Sequence, residues 1–191
     1  GKKYEVTCIG AGAAHSIAAT DGGKRIYTWG RGAHGRLGNG KHLNKKIPTE
    51  ITMHMPPGFL QKGFYVSGIA AGGAHTIILS ERKVTPHLTN PWGIETKLYS
   101  FGHGRYGQLG NSKIMHSPLP AKVAMPRWER IVSVSAGKSH SMAVTIYGQL
   151  YTWGKGWFGV LGHGDADMRI APTLLETSKN MILKASGGDM H

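Results

Sequence analysis

Short apolar runs interrupted by glycine and turn residues dominate this 191-residue chain. Residues 131–135 form a β-branched run, 140–145 alternate apolar and polar, Tyr147-Gly148 supplies a turn, and 150–153 close a hairpin. A fourth segment follows at Pro172-Thr173-Leu174-Leu175, matched by Pro48-Thr49-Glu50-Ile51 and Pro118-Leu119-Pro120-Ala121. Proline at the start of that segment predicts an edge strand, where a missing N–H is tolerated. No window sustains a helical period, and each of the 29 glycines disfavours helix by about 1 kcal/mol relative to alanine. The pattern predicts units of four short strands.

The units repeat. Tyr27-Thr28-Trp29-Gly30 through Leu37-Gly38 returns as Tyr99-Ser100-Phe101-Gly102 through Leu109-Gly110, and again as Tyr151-Thr152-Trp153-Gly154 through Leu161-Gly162. Ala-Gly-x-x-His precedes each copy, ending at His15, His75 and His140, and a fourth Gly-x-x-His ends at His191. The histidines step by 60, 65 and 51 residues, so the unit is about fifty residues plus insertions. Repeats are placed at 5–64, 65–129 and 130–181, with the start of a fourth at 182–191. Insertions fall at 53–63, around Pro56-Pro57-Gly58, and at 81–97, which reads as an extended surface loop. Four-stranded units around an axis make an all-β fold, the β-propeller, within one domain. The chain opens on glycine and stops inside a motif, which reads as a piece of a longer polypeptide.

The two signatures together resemble the regulator of chromosome condensation repeat family, founded on the exchange factor for the small GTPase Ran. The resemblance covers nearly the whole chain. It implies antiparallel four-stranded blades in a seven-bladed ring, about three of them present here. It also makes guanine-nucleotide exchange a first hypothesis. In the exchange factor, acidic side chains between the glycine and the histidine of Ala-Gly-x-x-His contribute. The matching positions are Ala13 and Ala14, Gly73 and Ala74, and Lys138 and Ser139, none of them acidic; only Asp189 keeps the charge. Relatives of the family serve on chromatin, in ubiquitin ligases and in mitochondria, some of them with the ribosome.

Twenty-three Lys and Arg against ten Asp and Glu give +13, which favours polyanions through counterion release. Between residues 22 and 49 lie Lys24, Arg25, Arg31, Arg36, Lys41, Lys45 and Lys46, with no acid. This segment is predicted to contact phosphate. The lone Cys8 excludes an intrachain disulfide and reads as a small strand residue. No apolar run approaches the roughly twenty residues that span a bilayer, so no membrane insertion is expected.

Gly30-Arg31-Gly32-Ala33-His34-Gly35 fits a dinucleotide fingerprint and recurs at 102–107 and 154–159. That fingerprint needs a following helix, whereas Leu-Gly and polar turn residues follow here. The glycines therefore read as tight turns, and no cofactor is expected. Eleven histidines raise a metal site, but His15, His75, His140 and His191 occupy equivalent places that a ring would hold apart. Each is expected to hydrogen-bond backbone at the inner strand of its blade, with no metal. Trp29, Phe101 and Trp153 read as blade-to-blade packing anchors. Trp157 and Phe158 replace Ala33-His34 and Arg105-Tyr106 at matching positions, and position-specific variation marks them as partner contacts. Trp92 in the 81–97 insertion is read the same way.

The sequence therefore predicts a non-catalytic scaffold for RNA or another polyanion and for other proteins of a large assembly. An organellar ribonucleoprotein fits best, with a mitochondrial ribosome component or associated factor foremost. The alternative is an exchange factor for a Ran-like GTPase, or a nuclear chromatin adaptor.

Overall fold

The computed structural model describes residues 5–57, 59–60, 62–126, 129–176, 181–189 and 191. Twelve strands form three four-stranded antiparallel sheets, each in sequence order. The first holds β1 (Val6–Ala11), β2 (His15–Thr20), β3 (Arg25–Gly30) and β4 (Lys45–Glu50). The second holds β5 (Tyr65–Ala71), β6 (His75–Lys83), β7 (Ile94–Gly102) and β8 (Ser117–Lys122). The third holds β9 (Ile131–Ala136), β10 (His140–Thr145), β11 (Leu150–Gly154) and β12 (Arg169–Leu174). The first strands β1, β5 and β9 pack side by side and are innermost; β4, β8 and β12 form the outer edges. These are propeller blades.

The core lies between blades. Ile17, Ile26 and Ile51 of blade 1 pack against Val66, Ile78, Tyr99 and Phe101 of blade 2. Ile77, Leu79 and Leu98 of blade 2 pack against Ile131, Ala143, Tyr151 and Trp153 of blade 3. Both faces of β2, β6 and β10 are covered, which is why all six residues of β10 are buried.

Two local readings change. First, the outer prolines do not begin their strands. Tyr27, Thr28 and Gly30 pair with Glu50, Thr49 and Lys45, so three residues of β4, including Pro48, face Trp29 alone. The same count recurs with Pro118 and Pro120 opposite Phe101, and with Pro172 opposite Trp153. The ladder is interrupted there, so the missing N–H costs nothing. Second, insertion 81–97 is ladder at both ends and loop at its tip. Pairing continues through Glu81↔Thr96, Arg82↔Glu95 and Lys83↔Ile94, leaving only residues 84–93 as the tip. Insertion 53–63 also reaches the core. Met55 and Phe59 are buried, and Phe59 stacks on Phe64 at 6.0 Å and meets Tyr99 edge-on at 5.8 Å. Gly58, at the centre of that insertion, lies outside the described residues.

Candidate polyanion-binding face

The repeated motifs build a frame first. His15 and His75 open the second strand of their blades, not the innermost one, and both are buried. Their Nε2 atoms reach a hydroxyl of the next blade rather than backbone: His15 to Thr76 at 2.8 Å, and His75 to Ser141 at 2.9 Å. Ser141 Oγ–H donates onward to the Gln108 carbonyl at 2.8 Å, so its oxygen accepts and His75 Nε2 carries the proton. Thr76 repeats the relay toward the Arg36 carbonyl. Burial, then like charge at Arg36, lowers the His15 pKa to about 4. Burial, then the neighbouring His15, His140 and His103, lowers that of His75 to about 3. Both are neutral at physiological pH. His140 keeps the position, but its Nε2 is buried without a partner among the described residues. His191 is exposed, and a Cβ on Gly188 would overlap its ring.

The Tyr-x-Trp-Gly segment works alongside. Thr28, Ser100 and Thr152 hydroxyls donate to the carbonyls of Leu37, Leu109 and Leu161 at 2.7, 2.6 and 2.8 Å, closing each turn on its own blade. Phe101 and Trp153 are fully buried and rest on Gly38 and Gly110 of the preceding blade. Trp153 Nε1–H also donates to the Gln108 carbonyl at 3.0 Å. Trp29 has no preceding blade in this chain to meet and is half-buried. The glycine turns are loops and one-turn 3-10 segments (Ala33–Gly35, Trp157–Gly159), with no α-helix behind them.

These turns stand together at one end of the blades. Segments 30–46, 102–117 and 154–169 carry nine Lys or Arg against two acids, Asp165 and Asp167. Arg31, Arg105 and Lys155 alternate with rings along the face. The His34, His103 and His116 rings lie within 4.6–5.0 Å of one another. His103 meets Tyr106 at 5.6 Å, and Tyr106 meets Trp157 at 6.3 Å. Lys155 Nζ sits 3.3 Å from the Trp157 ring centroid and 4.8 Å from that of Tyr106, a cation–π clasp across two blades.

The three histidines are poor cations. Burial first, then neighbouring His116, His34, Arg105 and Arg36, brings His103 down to about 4. His34 and His116 are lowered by burial and by the arginines around them. Gln108 Nε2 donates to His103 Nδ1 at 2.7 Å, and Gly104 N–H donates to His116 Nδ1 at 3.2 Å, which fixes both rings as acceptors there. Among the described residues no group of three His, Cys, Asp or Glu is disposed to hold a metal ion.

The basic segment read from the sequence does not stay together. Arg31 and Lys46 are exposed at the turn end, with Lys41 and the half-buried Lys45 beside them. Lys24 and Arg25 lie at the opposite end of β3, about 17 Å away at strand rise. Arg25 pairs there with Glu50 at 3.3 Å and Asp21 at 3.9 Å. Arg36 is only 5% exposed; its Nε donates to the Ala33 carbonyl and its Nη1 to the Gly73 carbonyl at 3.1 Å. It ties blade 1 to blade 2 and is not a surface cation. Trp157 and Phe158 are 56% and 78% exposed, and Phe158 holds φ of 61°, a conformation that non-glycine residues rarely adopt. Trp92 is half-buried against Tyr147 at the far end of the blades. Sequence reasoning missed Lys155, Arg105 and Tyr106. The signal was present, since Arg31, His103 and Lys155 fill the same first variable position of Gly-x-Gly-x-x-Gly.

A propeller with a cation-and-ring turn face is the class these features define. The regulator of chromosome condensation (RCC1) repeat matches residues 24–79, 96–144 and 147–191, and a second form of that repeat matches 131–159. The chain belongs to this repeat family. It is 32% identical over 184 residues to the ultraviolet-B receptor UVR8 of Arabidopsis thaliana, covering 96% of this chain and 37% of the relative. It is 33% identical over 167 residues to the E3 ubiquitin-protein ligase HERC2 of Homo sapiens, covering 86% of this chain and 3% of that one. The chain thus spans little more than a third of the curated relatives at most. Among solved structures, human WBSCR16 aligns with a TM-score of 0.72 at 20% identity, over 92% of this chain and 41% of that one. Prp20p from Saccharomyces cerevisiae, reported with its binding properties to Gsp1p and histones, aligns at 0.70 and 24% identity, over 95% and 41%. At those identities the structural likeness speaks for the fold alone.

Proposed function

We propose that this chain is a non-catalytic propeller scaffold whose turn face holds the phosphate backbone of RNA within a ribonucleoprotein assembly. The observation that supports this most is the row Arg31, Arg105, Tyr106, Lys155 and Trp157, cations interleaved with accessible rings on one rim. Phosphates pair with such cations, and unstacked bases lie on such rings, a combination suited to single-stranded RNA. The strongly basic composition favours an organellar assembly, with the mitochondrial ribosome as our preferred setting and protein neighbours on the remaining rim.

A second reading, exchange on a Ran-like GTPase or chromatin adaptation in the nucleus, draws on the family and on the binding reported for Prp20p. The Ala-Gly-x-x-His turns weigh against exchange. Their sole acid, Asp189, is paired with Lys138 at 2.8 Å, so these turns offer no unpaired carboxylate among the described residues.

Binding of a labelled 20-nucleotide uridine RNA, followed by anisotropy across a salt series, tests the scaffold reading. Arg105→Glu and Lys155→Glu should each weaken binding about tenfold and lower the salt slope by about one. Trp157→Ala should cost about 1–3 kcal/mol. Lys24→Glu, at the opposite end, should change little. Unchanged affinity and slope in the three face variants would remove the proposal.

A further inference from the structure

The other end of blade 2 holds a second, unrelated site. There the extended β6–β7 ribbon and residues 123–126 and 129–130 border a cavity of about 490 Å³, within the size range of small-molecule pockets. Its floor is apolar, with Leu98, Val123 and Ile131. Thr96 clamps residues 129–131 in place, accepting from Ile131 N–H at 3.1 Å and donating to the Glu129 carbonyl at 3.1 Å. Arg130 is therefore held at the wall, with its guanidinium 5.9 Å from the Trp92 ring.

The polar groups of this cavity divide into occupied and unoccupied. Both carboxylates are occupied. Glu95 takes Arg82 and Lys97, and although burial opposes it, those bonds hold its pKa below the usual carboxylate range. Glu129 accepts the Tyr151 hydroxyl at 3.2 Å; burial and then this carboxylate push that phenol up to about 12. Three groups remain. Arg130 Nε is buried and donates to nothing, Asn90 Oδ1 is buried and accepts from nothing, and Lys122 at the mouth has no partner among the described residues. A buried donor left unmade costs about 1–3 kcal/mol, more on a charged group, and an incoming acceptor recovers it.

We propose that this cavity binds a small amphipathic carboxylate, with a ring-sized apolar body on Leu98, Val123 and Ile131 and its carboxylate on Arg130 Nε. The apolar floor selects the anion. A carboxylate can carry a ring-sized apolar body onto Leu98, Val123 and Ile131 while one oxygen takes Arg130 Nε, with Lys122 behind it. Asn90 Oδ1 stands ready for a donor on the ligand. Trp92 is then a wall of this pocket rather than an anchor for a protein partner.

Calorimetric titration of the whole chain with 2-naphthoate and with its neutral isostere 2-naphthamide tests this. Naphthoate should bind at least about tenfold tighter, the value of one charge-assisted bond. Arg130→Gln should abolish that preference while naphthamide affinity stays unchanged, and Lys122→Gln should reduce it about two- to fivefold. The uridine RNA of the turn face should not compete, so failure of either site is seen separately. Should Arg130→Gln melt early, Lys122→Gln, on an exposed side chain, still decides. Equal affinity for the two probes, no saturable binding of naphthoate, or a preference indifferent to both substitutions would each overturn the proposal.

Discussion

His75 joins two jobs in one side chain, filling space over Gly72 and donating to Ser141 of the next blade, and its burial keeps the ring neutral. The pKa shift sets a direction for stability. Its folded pKa, about 3, lies below the ordinary value of 6.5, so protons bind the unfolded chain first as pH falls. Stability from His75, and from His15 with its value near 4, is fully present above pH 6.5 and drains away toward pH 4 and below. Each group contributes on the order of a few kcal/mol over that range. Urea unfolding between pH 7.5 and 4.5 should therefore lose stability steadily as pH drops. His75→Gln should start lower by about 1–3 kcal/mol and fall with a slope smaller by nearly one proton. An unaltered slope would mean that another group carries the acid sensitivity. The recurrence of the four histidines was legible in the sequence, but their partner was not. Thr76 and Ser141 stand directly after a histidine in their own blade, and only stacking shows that they serve the histidine of the blade before.

At the level of strands and turns, the same distinction between pattern and contact decides what could be read. The three hairpins β2–β3, β6–β7 and β10–β11 were visible because short β-branched and alternating runs flank glycine turns. The outer strands were placed a few residues late, since three of their residues face one aromatic and break the period of two. The ribbon at 81–97 lacked an apolar face because it runs past the core, and so it resembled loop. Met55 and Phe59 were hidden by the Pro56-Pro57 beside them, although their apolar side chains were the available clue. Glycine separates close approach from backbone conformation, and this gives a paired test. Gly110 and Gly164 both hold positive φ, 63° and 81°. A Cβ on Gly110 would lie 2.6 Å from Trp153 Nε1, whereas nothing lies within 4 Å of one on Gly164. Gly164→Ala should lower thermal unfolding stability by about 1 kcal/mol, the conformational cost alone. Gly110→Ala should cost more than about 3 kcal/mol, because the ring that seals blade 2 to blade 3 must move. Equal losses would show that the turns do not carry the blade contact.

Across the whole molecule, the two ends of the blades differ in what they can hold. The turn end interleaves cations with rings, while at the opposite end Arg25 pairs with Glu50, Arg82 and Lys97 pair with Glu95, and Arg130 and Lys122 border an apolar cavity. A net charge of +13 draws any polyanion, so charge alone cannot separate RNA from a nucleotide-laden GTPase. Chemistry of the rim can. Displacing a bound nucleotide means competing with its phosphates and magnesium, which acidic side chains do and ammonium groups do not. Here Lys138 projects where the exchange factor's acids would stand, and it holds Asp189 in an ion pair. Residues 31, 105 and 155 are instead spread over the turns of three blades at one end. Release of labelled GDP from a Ran-like GTPase should therefore remain at its intrinsic rate when this chain is added at micromolar concentration, while the same preparation binds uridine RNA. Lys138→Ala should leave the release rate unchanged and lower RNA affinity less than Lys155→Glu does, although the Ser139 carbonyl beside it accepts from Lys155 N–H at 2.9 Å at the same end of the blades. Accelerated release would transfer the function to the Ala-Gly-x-x-His turns, and a loss of RNA affinity on Lys138→Ala as large as that on Lys155→Glu would move the centre of the nucleic-acid contact to those turns.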